Sequence, residues 1–297
     1  MTIDLASLAA PEVVETIVFE TIVQQIKDDF IAREPDFAEI LDLESEPIVK
    51  LIEAYAYREM LVRARYNDEA RALLLPFAMG GNLDHIGATY YQEERLVVTP
   101  ADNTTIPPTP AVMESNADYR NRLALKPESW SVAGPRDAFK FHAISADGQI
   151  KDASVTSPEG GTTEVFILTR TGNGLPTAPQ IATVLAALNG ETVRPLSEAV
   201  IVTAPTIVDY TLELSLTLFP GPSTELVTSA VQTALAAFAA NSHRLGTDII
   251  RSAIDAAAHV AGVKKVVITA PAADIVCTAG QAPYCTAITV AIAGIES

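Results

Sequence analysis

The sequence predicts an α+β protein: an N-terminal helical domain followed by two small α/β sandwich-like domains. Three observations carry that reading. Apolar residues recur at helical spacing most clearly in the first third of the 297 residues. Four prolines, Pro100, Pro107, Pro108 and Pro110, then interrupt the chain. Beyond them, helical and strand patterns alternate, and the cleanest strand pattern covers 208–218. These features divide the chain into a helical domain (1–96), a proline-rich linker (97–113), a middle α+β domain (114–205) and a C-terminal α+β domain (206–297).

In the first domain, Pro11 suits a first helical turn, where its missing N–H costs nothing. Val14, Ile17, Val18, Ile22, Ile26 and Phe30 follow at helical spacing, and Pro35 closes the segment. A long helix is expected from Ser45-Glu46-Pro47 to about Leu75, stopped by Pro76 and Gly80-Gly81. Roughly 30 residues at 1.5 Å each give ~45 Å. Its apolar side consists of Ile48, Leu51, Ile52, Tyr55, Met60, Tyr66, Leu73 and Leu74. Such a helix is longer than a compact domain of this size needs. Either the first helix covers the stripe as an internal hairpin or another chain does, and both can hold. A short helix follows over 82–90. Next, the prolines of 97–110 predict a stiff connection that forms no ladder.

In the middle domain, Ser115 caps a helix reaching Leu125, with Asp118 three residues on. Gly134-Pro135 opens another helix, to about Ala146. Strands are expected over 150–157 and 164–169 around Pro158-Glu159-Gly160-Gly161, then a helix over 179–188 ended by Asn189-Gly190, then a strand over 199–203.

In the C-terminal domain, Tyr210, Leu212, Leu214, Leu216 and Leu218 alternate with Thr211, Glu213, Ser215 and Thr217, so one face of that strand is buried and one is wet. Ser223 is expected to cap a helix to about Asn241. A helix over 248–260 and strands over 263–269 and 284–292 complete the domain. The run from Gly148 to Pro158 echoes the run from Gly262 to Pro271, each behind a histidine-bearing helix (His142, His259). The echo leaves open whether the two domains are tandem related units or convergent.

Composition narrows the function. Hydrophobic residues make up 48% and charged residues 19%, enough to bury a core. Lys+Arg 20 against Asp+Glu 37 gives a net charge of −17, which repels phosphate backbones and anionic lipid. Neither nucleic acid nor membrane is an expected partner. The first 95 residues hold 8 basic and 19 acidic residues, a net of −11. Residues 275–295 carry no charge and approach bilayer-spanning length, but Gly280-Gln281-Ala282-Pro283 breaks them, so two buried strands joined by a turn are expected. The start, Met1-Thr2-Ile3-Asp4, lacks the basic region of a secretory signal, and Cys277 and Cys285 are expected as free thiols. The sequence contains no HExxH, CxxC, GxSxG, GxxxxGK[ST] or GxGxxG pattern, and no carboxylate pair or histidine cluster nominates a catalytic or metal centre. The expectation is a protein without cofactor or catalytic activity, built for contacts.

Several strings, in their shared order, carry a resemblance. They are Glu46-Pro47 leading into Glu53-Ala54-Tyr55-Ala56-Tyr57-Arg58-Glu59, Gly81-Asn82-Leu83-Asp84-His85-Ile86-Gly87-Ala88, and Glu114-Ser115-Asn116-Ala117-Asp118-Tyr119-Arg120-Asn121-Arg122. Val193-Arg194-Pro195-Leu196-Ser197, Tyr210, Pro220-Gly221-Pro222 and Ala261-Gly262-Val263 extend it. Over nearly its whole length the chain resembles the baseplate J-like family of contractile-tailed bacteriophages. Asn116 departs from the pattern where an acidic residue is commoner.

The resemblance implies a structural component of the baseplate wedge, located in the virion tail baseplate and assembled in the host cytoplasm. Implied partners are a second copy of the chain, a related wedge subunit of the tail protein I type, a sheath-initiator or lysozyme-like wedge protein, and the hub and spike proteins. N-terminal helices would join a bundle, and C-terminal domains would link adjacent wedges into a ring that rearranges on host attachment. The implied interface residues are Ile48, Leu51, Ile52, Tyr55, Met60 and Tyr66 on the long helix, and Tyr210, Leu212 and Leu214 on the alternating strand. The competing expectations are a cell-wall-degrading baseplate enzyme and a soluble adaptor.

Overall fold

The computed structural model describes residues 9, 11, 14–131, 133–195, 197–221 and 223–296; residues 1–4, Leu196 and Pro222, used above, lie outside them. The chain forms two compact units, Met1–Glu94 and Arg95–Ser297, and has the expected α+β character.

In the first unit, α1 (Phe19–Arg33) starts well after Pro11. Residues 15–18 are not helical, and Val18 is extended (φ −121°, ψ 118°), although their spacing also fits a helix. Thr16, Ile17 and Val18 are β-branched and lose rotamer freedom in a helix. The Glu15 backbone bonds instead to Asn67: its N–H donates to Oδ1 at 3.0 Å and its carbonyl accepts from Nδ2 at 2.8 Å. A 3₁₀ turn (Pro35–Phe37) and the short α2 (Ala38–Leu41) lead to α3 (Pro47–Ala72). Helix α3 has 26 residues, ~39 Å, with Pro47 at its first position. Pro76 offers no N–H to the carbonyl of Ala72, so the helix ends there. Val23, Ile26, Phe30 and Ile31 of α1 pack with Leu41, Val49 and Ile52. The internal hairpin therefore exists and covers one side of α3. Helix α4 (Gly80–Ile86) continues into a π-helical turn (Gly87–Tyr91).

Residues 97–113 are a hydrogen-bonded arm, which corrects the expectation that they form no ladder. β1 (Val97–Thr99) and β2 (Val112–Met113) run antiparallel, and Asp102 bridges Thr109 further out. The prolines sit between the paired residues, where no backbone donor is needed. The arm is seated against the strand-leading turn at Gly148. A Cβ on Gly148 would lie 2.2 Å from the Val97 carbonyl oxygen, so only glycine allows this approach.

The middle module contains α5 (Asn116–Leu125), a 3₁₀ segment (Lys126–Trp130), α6 (Arg136–Ser145), β3 (Ile150–Glu159), β4 (Thr162–Thr169), α7 (Ala178–Leu188) and β5 (Ala199–Thr203). Ser115 caps α5, its Oγ accepting from the Asp118 N–H at 3.1 Å. β3 and β4 form an antiparallel hairpin, and β5 joins β4 in parallel after the α7 crossover. Phe139, Phe141, Ile150, Val165, Ile167 and Leu188 are central to the core.

The C-terminal module contains β6 (Thr206–Leu218), α8 (Thr224–Ser242), α9 (Arg251–Ala258), β7 (Val263–Ala270) and β8 (Gln281–Ile295). β6 is the centre of the sheet, antiparallel to β7 and parallel to β8. Ser223 occupies the N-cap position of α8 without a side-chain capping bond. The uncharged stretch 275–295 is not two buried strands. Ile275 makes a single bridge to Ile249, and Gln281–Ile295 is one long edge strand whose second half is largely exposed.

The two sheets share one arrangement: a central strand with one antiparallel and one parallel neighbour. The echoing pairs α6–β3 and α9–β7 occupy matching places, a helix followed by the antiparallel edge strand. Chain order differs, because the central strand follows that pair in the middle module and precedes it in the C-terminal one. The echo therefore reflects a repeated packing unit in rearranged order.

Candidate interaction surfaces

The nine residues expected at interfaces separate by position. On α3, Leu51 is 70% exposed and Tyr55 and Tyr66 are each 64% exposed. Ile48 and Met60 are half-buried, and Ile52 is buried against α1. Ile52 is therefore part of the unit's own core, because the 100° step per residue turns it away from its neighbour Leu51. Tyr210, Leu212 and Leu214 are likewise corrected. All three are buried between the sheet and α8 and α9, packed with Val227, Val231, Leu235 and Ile254. The buried face inferred from the alternation is real, but this chain's own helices cover it. The Tyr210 hydroxyl is buried without a partner among the described residues, and burial raises its pKa.

The exposed side of α3 also carries Tyr57, Leu61 and Val62, which the expected set omitted. Together with Ala54, Arg58 and Arg65 they line an open, mainly apolar groove of about 630 Å³. Their spacing, i, i+3, i+4, i+7, i+8 and i+11, marks one helical face. The signal was present in the sequence, but it is interrupted by two arginines whose long aliphatic stems also contribute apolar surface.

The string from Glu114 to Arg122 closes the base of the 97–113 arm. Glu114 and Arg122 form a fully buried ion pair at 2.9 Å. The Glu114 carboxylate also accepts from the Leu96 N–H at 3.3 Å, and its carbonyl accepts from Arg95 Nη1 at 2.7 Å. The guanidinium groups of Arg95 and Arg122 lie over the Tyr119 ring at 4.8 and 5.2 Å. Asn116 accepts from Arg95 Nη2 at 3.0 Å, a role its amide oxygen fills where an acid is commoner. Among the described residues, no group of three or more His, Cys, Asp or Glu side chains is arranged to hold a metal ion. Both cysteines are free, and burial raises the pKa of each thiol. No helix is long and apolar enough to cross a membrane among the described residues.

Family models match three stretches of the chain: the baseplate J-like N-terminal domain at residues 44–102, the baseplate J-like central domain at 131–204, and the baseplate J-like protein C-terminal domain at 210–291. The chain is also 47% identical over 299 aligned residues to baseplate protein J of Escherichia phage P2, covering 99% of both chains. The chain belongs to the baseplate J-like family. A fainter likeness is to a chain of the anti-feeding prophage baseplate, at TM-score 0.42 and 12% identity, over 60% of this chain and 42% of that one.

Membership makes this a structural protein of the phage tail baseplate. In this baseplate J-like chain the Glu114–Arg122 string locks the arm, and Gly148 admits it. The middle and C-terminal modules meet around His243. Lys151 Nζ donates to the Ala240 carbonyl at 3.1 Å, and the Asp152 carboxylate accepts from the Leu245 N–H at 3.1 Å. His243 Nδ1 lies 2.7 Å from the Pro283 carbonyl and must carry the proton, since a carbonyl only accepts. Nε2 is buried without a partner among the described residues. Gly174, at φ +91°, faces it: a Cβ there would lie 2.4 Å from Leu168 Cδ1 and 3.0 Å from His243 Nε2.

Burial lowers the His243 pKa, with the Lys151 charge acting in the same direction and the Pro283 bond opposing. The unfolded chain therefore binds more protons than the folded one as pH falls below the ordinary histidine value of about 6.5, and folding loses stability there. Thermal midpoints of the full chain measured between pH 7.5 and 5 should fall more steeply than those of His243→Gln. Parallel curves would refute a role for this ring.

Proposed function

We propose that this chain is a component of the contractile-tail baseplate wedge. It pairs with a second copy of itself and with a related wedge subunit, and it links adjacent wedges into a ring around the hub. The ring rearranges on host attachment and triggers sheath contraction. The observation that carries this reading is the near-complete alignment to a baseplate protein J at 47% identity. The exposed apolar side of α3 supports it physically: Leu51, Tyr55 and Tyr66 are large, apolar and wet in the single chain, as is usual for a surface covered on assembly. On this reading 1–96 enters a helical bundle and 206–297 forms the ring. The sheath-initiator or lysozyme-like wedge protein, the hub and the spike are further partners. The site of action is the virion tail baseplate, following assembly in the host cytoplasm.

The test is co-expression with the neighbouring tail subunits, followed by light scattering. A stable complex with two copies of this chain per wedge partner is expected, and Leu51→Ser with Tyr66→Ser should abolish it while leaving the circular dichroism spectrum unchanged. A complex that never exceeds one copy, or a strictly monomeric chain, would refute the pairing. Clearing of peptidoglycan in a zymogram would instead favour the cell-wall-degrading enzyme.

A further inference from the structure

The groove on α3 is charged in a way that specifies its occupant. Its two charged lining residues, Arg58 and Arg65, are both basic, in a unit whose first 95 residues carry a net charge of −11. They are seven residues apart, two helical turns along one face. Arg58 is exposed and has no hydrogen-bond or ion-pair partner among the described residues. Arg65 is paired with Glu69 at 2.7 Å, but that pair is solvent-exposed and holds Arg65 only weakly. Asp68 lies just beyond the groove, and Lys50 is already paired with Glu53 at 3.0 Å. Between the arginines lie Leu61 and Val62, the apolar floor.

A second copy of α3 is a poor occupant. A two-fold antiparallel pairing centred between Leu61 and Val62 places Arg58 opposite Arg65 of the other copy, and a parallel pairing places Arg58 opposite Arg58. Either arrangement sets like charges against each other over an apolar seam, where repulsion is least screened.

We propose that this groove receives an amphipathic helix of a different chain, with an apolar seam for Leu61 and Val62 and carboxylates seven residues apart opposite Arg58 and Arg65. This rests on the reading of α3 as a bundle helix and adds the partner's chemistry. Apolar contact supplies the affinity, while the two arginines select against basic helices and set the register.

The test uses the full chain and two labelled helical peptides with the same leucine seam, one with glutamates and the other with lysines at the flanking seven-residue repeat. Fluorescence anisotropy should show the glutamate peptide binding about tenfold more tightly, with the difference shrinking in 0.5 M salt, where the Debye length is only ~4 Å. Arg58→Glu with Arg65→Glu should invert the preference, and Leu61→Asn should weaken both peptides. Equal binding, binding of neither peptide, or a preference untouched by the charge reversal would overturn the proposal. So would a Leu61→Cys chain that oxidises readily to a disulfide-linked homodimer, which would put a second copy in the groove. A wedge complex that forms normally with the charge-reversed chain would overturn this proposal and leave the wedge reading intact, whereas failure of the wild-type chain to form any wedge complex would overturn the wedge reading itself.

Discussion

Arg122→Met will destabilise the Arg95–Ser297 unit by about 3–5 kcal/mol, the cost of leaving a buried carboxylate without its counter-charge. Glu114 is as buried as Arg122, and the Leu96 N–H that its carboxylate also accepts from at 3.3 Å cannot replace a guanidinium. Glu114→Leu will also destabilise the unit, by removing the carboxylate that faces the buried Arg122 guanidinium. The double variant Glu114→Leu, Arg122→Met should recover most of the loss, because two apolar side chains of similar volume impose no desolvation penalty. Urea unfolding followed by circular dichroism measures the three values. Hydrogen exchange will show where the damage falls, and β1, β2 and α5 should lose protection first, since the pair holds the arm to the helix. Single variants costing no more than about 1 kcal/mol, as exposed pairs do, would show that the pair is not a closed, dry contact.

Leu212→Ala will cost about 2–5 kcal/mol in the isolated chain, since it removes buried methyl groups from a core that cannot fully collapse onto the space. Leu51→Ala will change isolated stability by less than about 0.5 kcal/mol, because Leu51 is already in water. In wedge assembly the order should reverse among properly folded molecules, with Leu51→Ala impairing partner binding and Leu212→Ala leaving it intact at low temperature. Equal and small effects of both on the isolated chain would restore Leu212 to the list of surface residues. The comparison separates two kinds of apolar residue that look alike in the sequence.

Much of the architecture was legible because local patterns and tertiary contacts agree. Pro47 begins α3, Ser115 caps α5, and the alternation of β6 marks its buried face. The failures have physical causes. The start of α1 was misplaced because Val14, Ile17 and Val18 fit a helical period and a β-branched extended run equally well, and only Asn67, 52 residues away, decides between them. The 97–113 arm was missed because prolines argue against a ladder, yet the few paired residues lie outside them. The lack of charge over 275–295 predicts two buried strands, while β8 lies at a sheet edge with about half its residues in water.

By itself the sequence determined the element types, the division between a helical first part and sheet-bearing later parts, the absence of recognisable catalytic motifs, and the family. Those follow from local periodicity, from backbone constraints at proline and glycine, and from the order of short strings. The tertiary structure alone decided which apolar faces are already covered. Leu51 and Ile52 are equally apolar neighbours, and only the position of α1 sends one inward and leaves the other for a partner. Burial depends on what lies across from a face, and no local pattern carries that information.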